Sequence, residues 1–312
     1  MGVLEAVWVT RSGDAAPVDL GWRFDFGALD FGLRLSPNGA RLAVTTAVDG
    51  NTDIWIKRLP DGPFERLTFD DDVETYPGWS PDGQLVTYAK GPPGGNYDVW
   101  RRRADGTGAP ELLLDDERTL LQGRRSLDGE WMVFRAGLLS GPSGERDIVG
   151  LRPAVDRATR PLIATDEFAE QDPALSPDGR WLAYTSDVTG RAEVYVSPFP
   201  NVDSSRVPVS TNGGFGPLWA HSGRELFFVD PDRRLVAAEV ETASVFGVLE
   251  RETLFVLESE YFVIEGADFY DIAPDDQRFL MARLAGGLGS SGDDRFILVT
   301  NWFEELRQLM GN

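Results

Sequence analysis

Leu175-Ser176-Pro177-Asp178-Gly179-Arg180-Trp181-Leu182-Ala183-Tyr184 decides the fold, because near copies of it recur along the chain and each opens the same small unit. Serine starts a tight turn, proline presets φ at the next position, and glycine accepts a left-handed conformation that leads into a strand. The strand that follows is apolar without alternation, as expected of a sheet covered on both faces. Corresponding turns begin at Ser36, Ser80, Ser126, Ser176, Ala220 and Ala273, giving steps of 44, 46, 50, 44 and 53 residues. Such a period matches one four-stranded propeller blade, roughly 40–50 residues, and exceeds that of helical repeats.

Each unit holds the same parts in order. A short strand ends at Trp79-Ser80 or Trp219-Ala220, the turn follows, and a second strand such as Arg41-Leu42-Ala43-Val44 leaves it. A third strand is marked by Asp53-Ile54-Trp55-Ile56, Asp98-Val99-Trp100, Asp147-Ile148-Val149 or Glu193-Val194-Tyr195-Val196, and a fourth by Arg66-Leu67-Thr68 or Glu111-Leu112-Leu113. β-branched and aromatic residues at these places favour strands. The pattern predicts an all-β, six-bladed β-propeller occupying residues 1–312 as one domain, since blades pack only on their neighbours.

The ends of the chain must close the ring. Ala6-Val7-Trp8-Val9-Thr10 reads as a third strand and Ala16-Pro17-Val18-Asp19-Leu20 as a fourth, with no first or second strand before them. The sixth unit supplies a first strand at 269–272, a second at 278–281 and a further candidate at 296–299. Three candidate strands therefore compete for two places, and closure by the N-terminal segment removes exposed sheet edges. Apolar spacing over 302–310 suits a short helix packed on the propeller.

Composition narrows the function classes. Fifty-one acidic and 30 basic residues give a formal charge of −21, which repels phosphate backbones and argues against a nucleic-acid partner. No cysteine is present, so disulfides and thiolate chemistry are excluded. No apolar run is long enough to insert in a bilayer. The first residues carry no signal-peptide pattern, which points to the cytoplasm for the chain as given, and to an extracytoplasmic place if it was cut from a membrane-anchored parent.

The repeated Trp-Ser-Pro-Asp-Gly turn, followed by a strand, a loop and Asp-Ile-Trp or Asp-Val-Trp, resembles the TolB-type β-propeller repeat. The segment Tyr184–Pro200 is similar to a stretch of the propellers attached to bacterial serine/threonine protein kinases. The opening Val7–Gly13, the stretch Val209–Gly214 and the closing Asn301-Trp302 resemble the same group. The resemblance implies a propeller that recognises a protein, peptide or small ligand, including as the sensor of a receptor kinase. Relatives of this kind also cover the active sites of prolyl oligopeptidase-like peptidases.

Catalytic signatures are sparse. His221 is the single histidine and falls inside the fifth turn, where a surface side chain is expected. No Gly-x-Ser-x-Gly elbow occurs, and Gly287–Gly292 matches the dinucleotide fingerprint only in its letters, with no helix to take a pyrophosphate. Asp49–Asp53 lacks the glycine and the bidentate glutamate of a calcium loop and reads as a hairpin.

One constellation is sharper. Six residues before each turn stand Asp30, Glu74, Leu120, Glu170, Gly214 and Ala267, with Asp268 next to the last. Equivalent positions of a propeller form a ring, so Asp30, Glu74 and Glu170 are candidate ligands for calcium at the channel mouth, the single cofactor the sequence suggests. The expectation is a monomeric, non-catalytic binding or sensor module with a protein or peptide partner and no enzyme activity. The competing reading is a calcium-dependent hydrolase or lactonase at the channel mouth.

Overall fold

The computed structural model describes residues 3–25, 32–138 and 146–286. In each turn the local chemistry acts as its residue types dictate. Gly179 N–H donates to the Ser176 carbonyl at 2.9 Å with φ +69° at the glycine, and Ser176 N–H donates to the Trp181 carbonyl at 2.9 Å. The Ser176 hydroxyl donates to Asp178 Oδ1 at 2.6 Å and accepts from Trp181 N–H at 3.0 Å. Serine and aspartate thus satisfy the backbone that the reversal frees, and the chain leaves the turn as a strand.

Six such units form six antiparallel sheets. Blade I comprises Leu33–Leu35, Arg41–Val48, Asn51–Arg58 and Phe64–Arg66, and blade II Val73–Trp79, Leu85–Gly91, Asp98–Arg103 and Glu111–Leu114. Blade III is built from Leu120–Arg125, Met132–Ala136, Asp147–Leu151 and Arg160–Ile163, and blade IV from Glu170–Leu175, Trp181–Ser186, Glu193–Pro198 and Val207–Pro208. Phe215–Trp219, Glu225–Val229, Arg234–Glu241 and Gly247–Val256 make blade V. The six-bladed, all-β propeller read from the repeat is the observed fold.

Blade VI takes strands from both ends of the chain. Tyr270–Ile272 and Arg278–Leu284 are its inner pair, Val3–Thr10 is the third strand, and Ala15–Pro17 and Phe24–Asp25 share the outer edge. Register runs from Leu4 opposite Leu284 to Thr10 opposite Arg278, so the N-terminal segment closes the ring. The competing strand at 296–299 and the helix at 302–310 lie outside the described residues. The fourth strand of blade I is Phe64–Arg66, two residues before its expected place.

Burial falls from the axis outward. All residues of Met132–Ala136 and Trp181–Ser186 are buried, whereas Gly247–Val256 has no buried position. Apolar clusters lie between blades, as where Ala183, Val194 and Val196 of blade IV meet Leu226, Phe228 and Val236 of blade V. Val7, Phe279 and Met281 of the closing blade pack with Phe227 and Val229 of blade V. No helix among the described residues is long and apolar enough to cross a membrane.

Candidate functional site

The innermost strands carry a repeated irregularity that builds the channel lining. Register shifts interrupt the pairing between Thr75 and Gly78, Leu121 and Arg124, Gln171 and Ala174, and Phe215 and Leu218. At each bulge one residue has positive φ: Tyr76 at 49°, Gln122 at 52°, Asp172 at 56° and Gly216 at 63°. Left-handed backbone costs a residue other than glycine about 1 kcal/mol or more, and bulges re-aim side chains. Here they bring polar groups together across the ring.

A buried network fills the axis. Asp268 Oδ1 accepts from Arg34 at 3.0 Å, from Gln122 at 3.3 Å and from Arg124. Gln122 also donates to Asp172 Oδ1 at 2.9 Å, while Asp172 Oδ2 accepts from the Thr185 hydroxyl at 3.0 Å and from Gly216 N–H at 3.3 Å. Tyr270 donates to the Gly216 carbonyl at 2.7 Å. Burial works to raise the Asp268 carboxyl, yet Arg124 and Arg34 hold it below its usual range. Burial raises that of Asp172. The guanidinium of Arg124 is lowered by burial and then by the like charge of Arg34.

One end of the channel is occupied by the connection from blade V to blade VI. The Gly266 carbonyl accepts from Arg135 at 3.0 Å and from the Tyr76 hydroxyl at 3.2 Å, and Gln171 donates to Glu265 at 2.6 Å. The repeat turns lie at the opposite end of the innermost strands and surround an open mouth. It has two lobes of about 350 and 430 Å³ that share Arg34, Arg124, Arg125, Leu127, His221 and Asp271. Around this rim, proline of one turn approaches glycine of the next: a Cβ on Gly39 would stand 3.0 Å from Pro274 Cδ. Leu127 replaces that proline in the third turn and is 63% exposed, and no atom lies within 4 Å of a Cβ built on Gly179. The rim is therefore looser beside blade III.

The sequence-predicted ligands are placed as follows. Asp30 lies outside the described residues. Glu74 is buried against blade I, near Asp53 and 3.9 Å from Lys90 Nζ, and both its carboxylate oxygens lack a hydrogen-bond partner among the described residues. Burial, then the charge of Asp53, pushes its carboxyl up to about 8. Glu170 is buried against blade III, accepting from Thr165 at 3.2 Å and Ser186 at 3.3 Å, and burial pushes it up to about 7. Glu74 and Glu170 thus occupy different seams between blades, and their neighbours are residues of those seams. Among the described residues no group of three or more histidine or acidic side chains is arranged to hold a metal ion.

His221 sits on the rim of the mouth, half exposed, with Nδ1 2.9 Å from Asp276 Oδ1. Asp276 also accepts from the backbone N–H groups of His221 at 2.8 Å and Ser222 at 3.0 Å. The fifth and sixth turns therefore bind each other. The arginines of the mouth escaped the sequence reading, although Arg34 and Arg124 each stand two residues before a repeat turn. Their meeting with Asp268 depends on bulges that the repeat does not spell out.

No family model matches the chain. It is 26% identical over 190 residues to the Bacillus subtilis (strain 168) protein named uncharacterized peptidase YuxL, a match covering 49% of this chain and 29% of that protein. The chain thus spans less than a third of that relative's length. Among solved structures it resembles a protein of Agrobacterium tumefaciens assigned as a TolB, with a TM-score of 0.68 and 20% identity over 91% of this chain and 99% of the other. It also resembles a puromycin-hydrolyzing peptidase of Mycobacterium tuberculosis, with a TM-score of 0.54 and 14% identity over 75% of this chain and 44% of the other. The fold is that of the TolB-type propellers.

These findings correct the expectation of a non-catalytic binding or sensor module that is not an enzyme. A sequence relative is named a peptidase, and the solved structure of a puromycin-hydrolyzing peptidase shares the fold. The expectation rested on finding no catalytic constellation in the sequence.

Proposed function

We propose that this chain is the propeller unit of a peptidase-type hydrolase and that it receives the peptide substrate at the mouth ringed by the repeat turns. The observation that carries this reading is the 190-residue match to a protein named as a peptidase. The mouth supports it, because it combines guanidinium donors with apolar walls at an open end of an otherwise filled channel. Arg34, Arg124 and Arg125 would orient polar ends of the substrate. His221, its ring fixed by Asp276, presents its other nitrogen at the rim, where it can take or return a proton. The likeness of Tyr184–Pro200 to kinase-attached propellers supports a module that works joined to other domains.

The test is binding of a panel of fluorescent peptides by the full chain, alongside Arg125→Gln, read by anisotropy. Binding by the wild type, with Kd raised in Arg125→Gln, is expected. A panel left unbound by the protein would overturn the reading.

A further inference from the structure

We propose that the turn-ringed mouth binds the free α-carboxylate at the C-terminal end of a peptide, with Arg34, Arg124 and Arg125 as donors and Trp79, Leu127 and Leu218 as the wall for the last side chain. The inference rests on the peptidase reading and names the part of the substrate that the mouth takes. Arg34, Arg124 and Arg125 bring three guanidinium groups to the mouth. Arg34 and Arg124 share one carboxylate, Asp268, and Arg34 lies 3.6 Å from a second, Asp271. Arg125 forms no ion pair among the described residues and donates to the Gly129 carbonyl at 3.3 Å.

The Nε atoms of Arg34 and Arg125 are buried with no hydrogen-bond partner among the described residues. Buried N–H groups without acceptors are costly, and the planar guanidinium fork matches a carboxylate. Arg34 and Arg124 repel each other across Asp268, so an incoming anion relieves that repulsion as well as meeting the free donors. The apolar wall favours a peptide end over a uronic acid sugar, which would present hydroxyls to Leu127 and Trp79. Leu127 is available for this because its turn lacks the proline that closes other parts of the rim.

The experiment compares a tripeptide ending in phenylalanine as its free acid and as its C-terminal amide, titrated calorimetrically into the full chain. A charge-assisted hydrogen bond is worth about 1.5–3 kcal/mol, so the acid should bind at least about tenfold more tightly than the amide. Raising the salt should narrow the gap. Arg125→Gln should shrink the preference, and Leu127→Asp, at an exposed position, should weaken the acid about tenfold with an unchanged melting temperature. Equal affinity for acid and amide would overturn the inference, as would tighter binding of trigalacturonate than of the peptide acid. Acid-selective binding of N-acetylphenylalanine with no binding of any longer peptide would uphold this site and defeat the peptidase reading. Peptides bound with equal affinity as acid and amide would do the reverse.

Discussion

Replacing Glu74 by glutamine removes a carboxyl that the fold holds in an unfavourable place, and the effect should depend on pH in a defined direction. The side chain is fully buried between blades I and II, beside Asp53 and with Lys90 Nζ 3.9 Å away. Its carboxyl is pushed from 4.5 up to about 8. A folded-state value above the unfolded one means that the native protein binds the proton more tightly. Its contribution is therefore fully present below about pH 4.5 and is lost as pH rises toward about 8. The whole shift, which already contains the opposing charge of Lys90, corresponds to about 5 kcal/mol at 1.36 kcal/mol per unit, and relaxation and water penetration around the carboxylate reduce it to roughly 2 kcal/mol. Thermal melts of wild type and Glu74→Gln, run side by side from pH 5.5 to 8.5, should show the variant gaining about 4 °C relative to wild type across that range. Parallel melting curves at every pH would refute the reasoning, because they would mean that Glu74 titrates alike in the folded and unfolded chain.

Asp268→Asn leaves Arg34 and Arg124 facing each other in the buried channel without their shared carboxylate, and should cost roughly 3–5 kcal/mol in urea unfolding; a loss under about 1 kcal/mol would contradict the network. Gly216→Ala forces a side chain into a backbone with φ +63° and puts its Cβ 3.0 Å from Phe269, so a loss of about 2 kcal/mol is expected by the same measurement. Ser176→Ala strips the acceptor from Trp181 N–H at 3.0 Å and frees Asp178, with an expected cost of about 1–2 kcal/mol read from the urea midpoint. Glu170→Gln should repeat the pH effect of Glu74→Gln on a smaller scale, since its carboxyl is raised only to about 7.

Much of the architecture was legible before any coordinates. Ser-Pro-Asp-Gly turns and ungapped apolar strands are local signals, and six copies at blade spacing count the blades. The orphan strand at Val3–Thr10 pairs with Arg278–Leu284 and so closes the ring between the two ends of the chain. The candidate site was read less well. Counting back from the turns selected Glu74 and Glu170 as rim residues, and the structure buries both in seams between blades. Asp268, noted beside the ring position, turned out to hold the channel together.

Turn and strand chemistry act between neighbours in the chain, within a few residues, so the sequence by itself determined the repeat and the blade number, and left three candidate strands for the two open places of the closing blade. Where a side chain points from an innermost strand depends on bulges at Tyr76, Gln122, Asp172 and Gly216, and a one-residue irregularity moves every following side chain to the other face. Only the closed ring brings Arg34 of blade I, Arg124 of blade III and Asp268 of blade VI to one point. The charge balance of the mouth follows from that meeting across more than 200 residues of chain, and no local pattern encodes it.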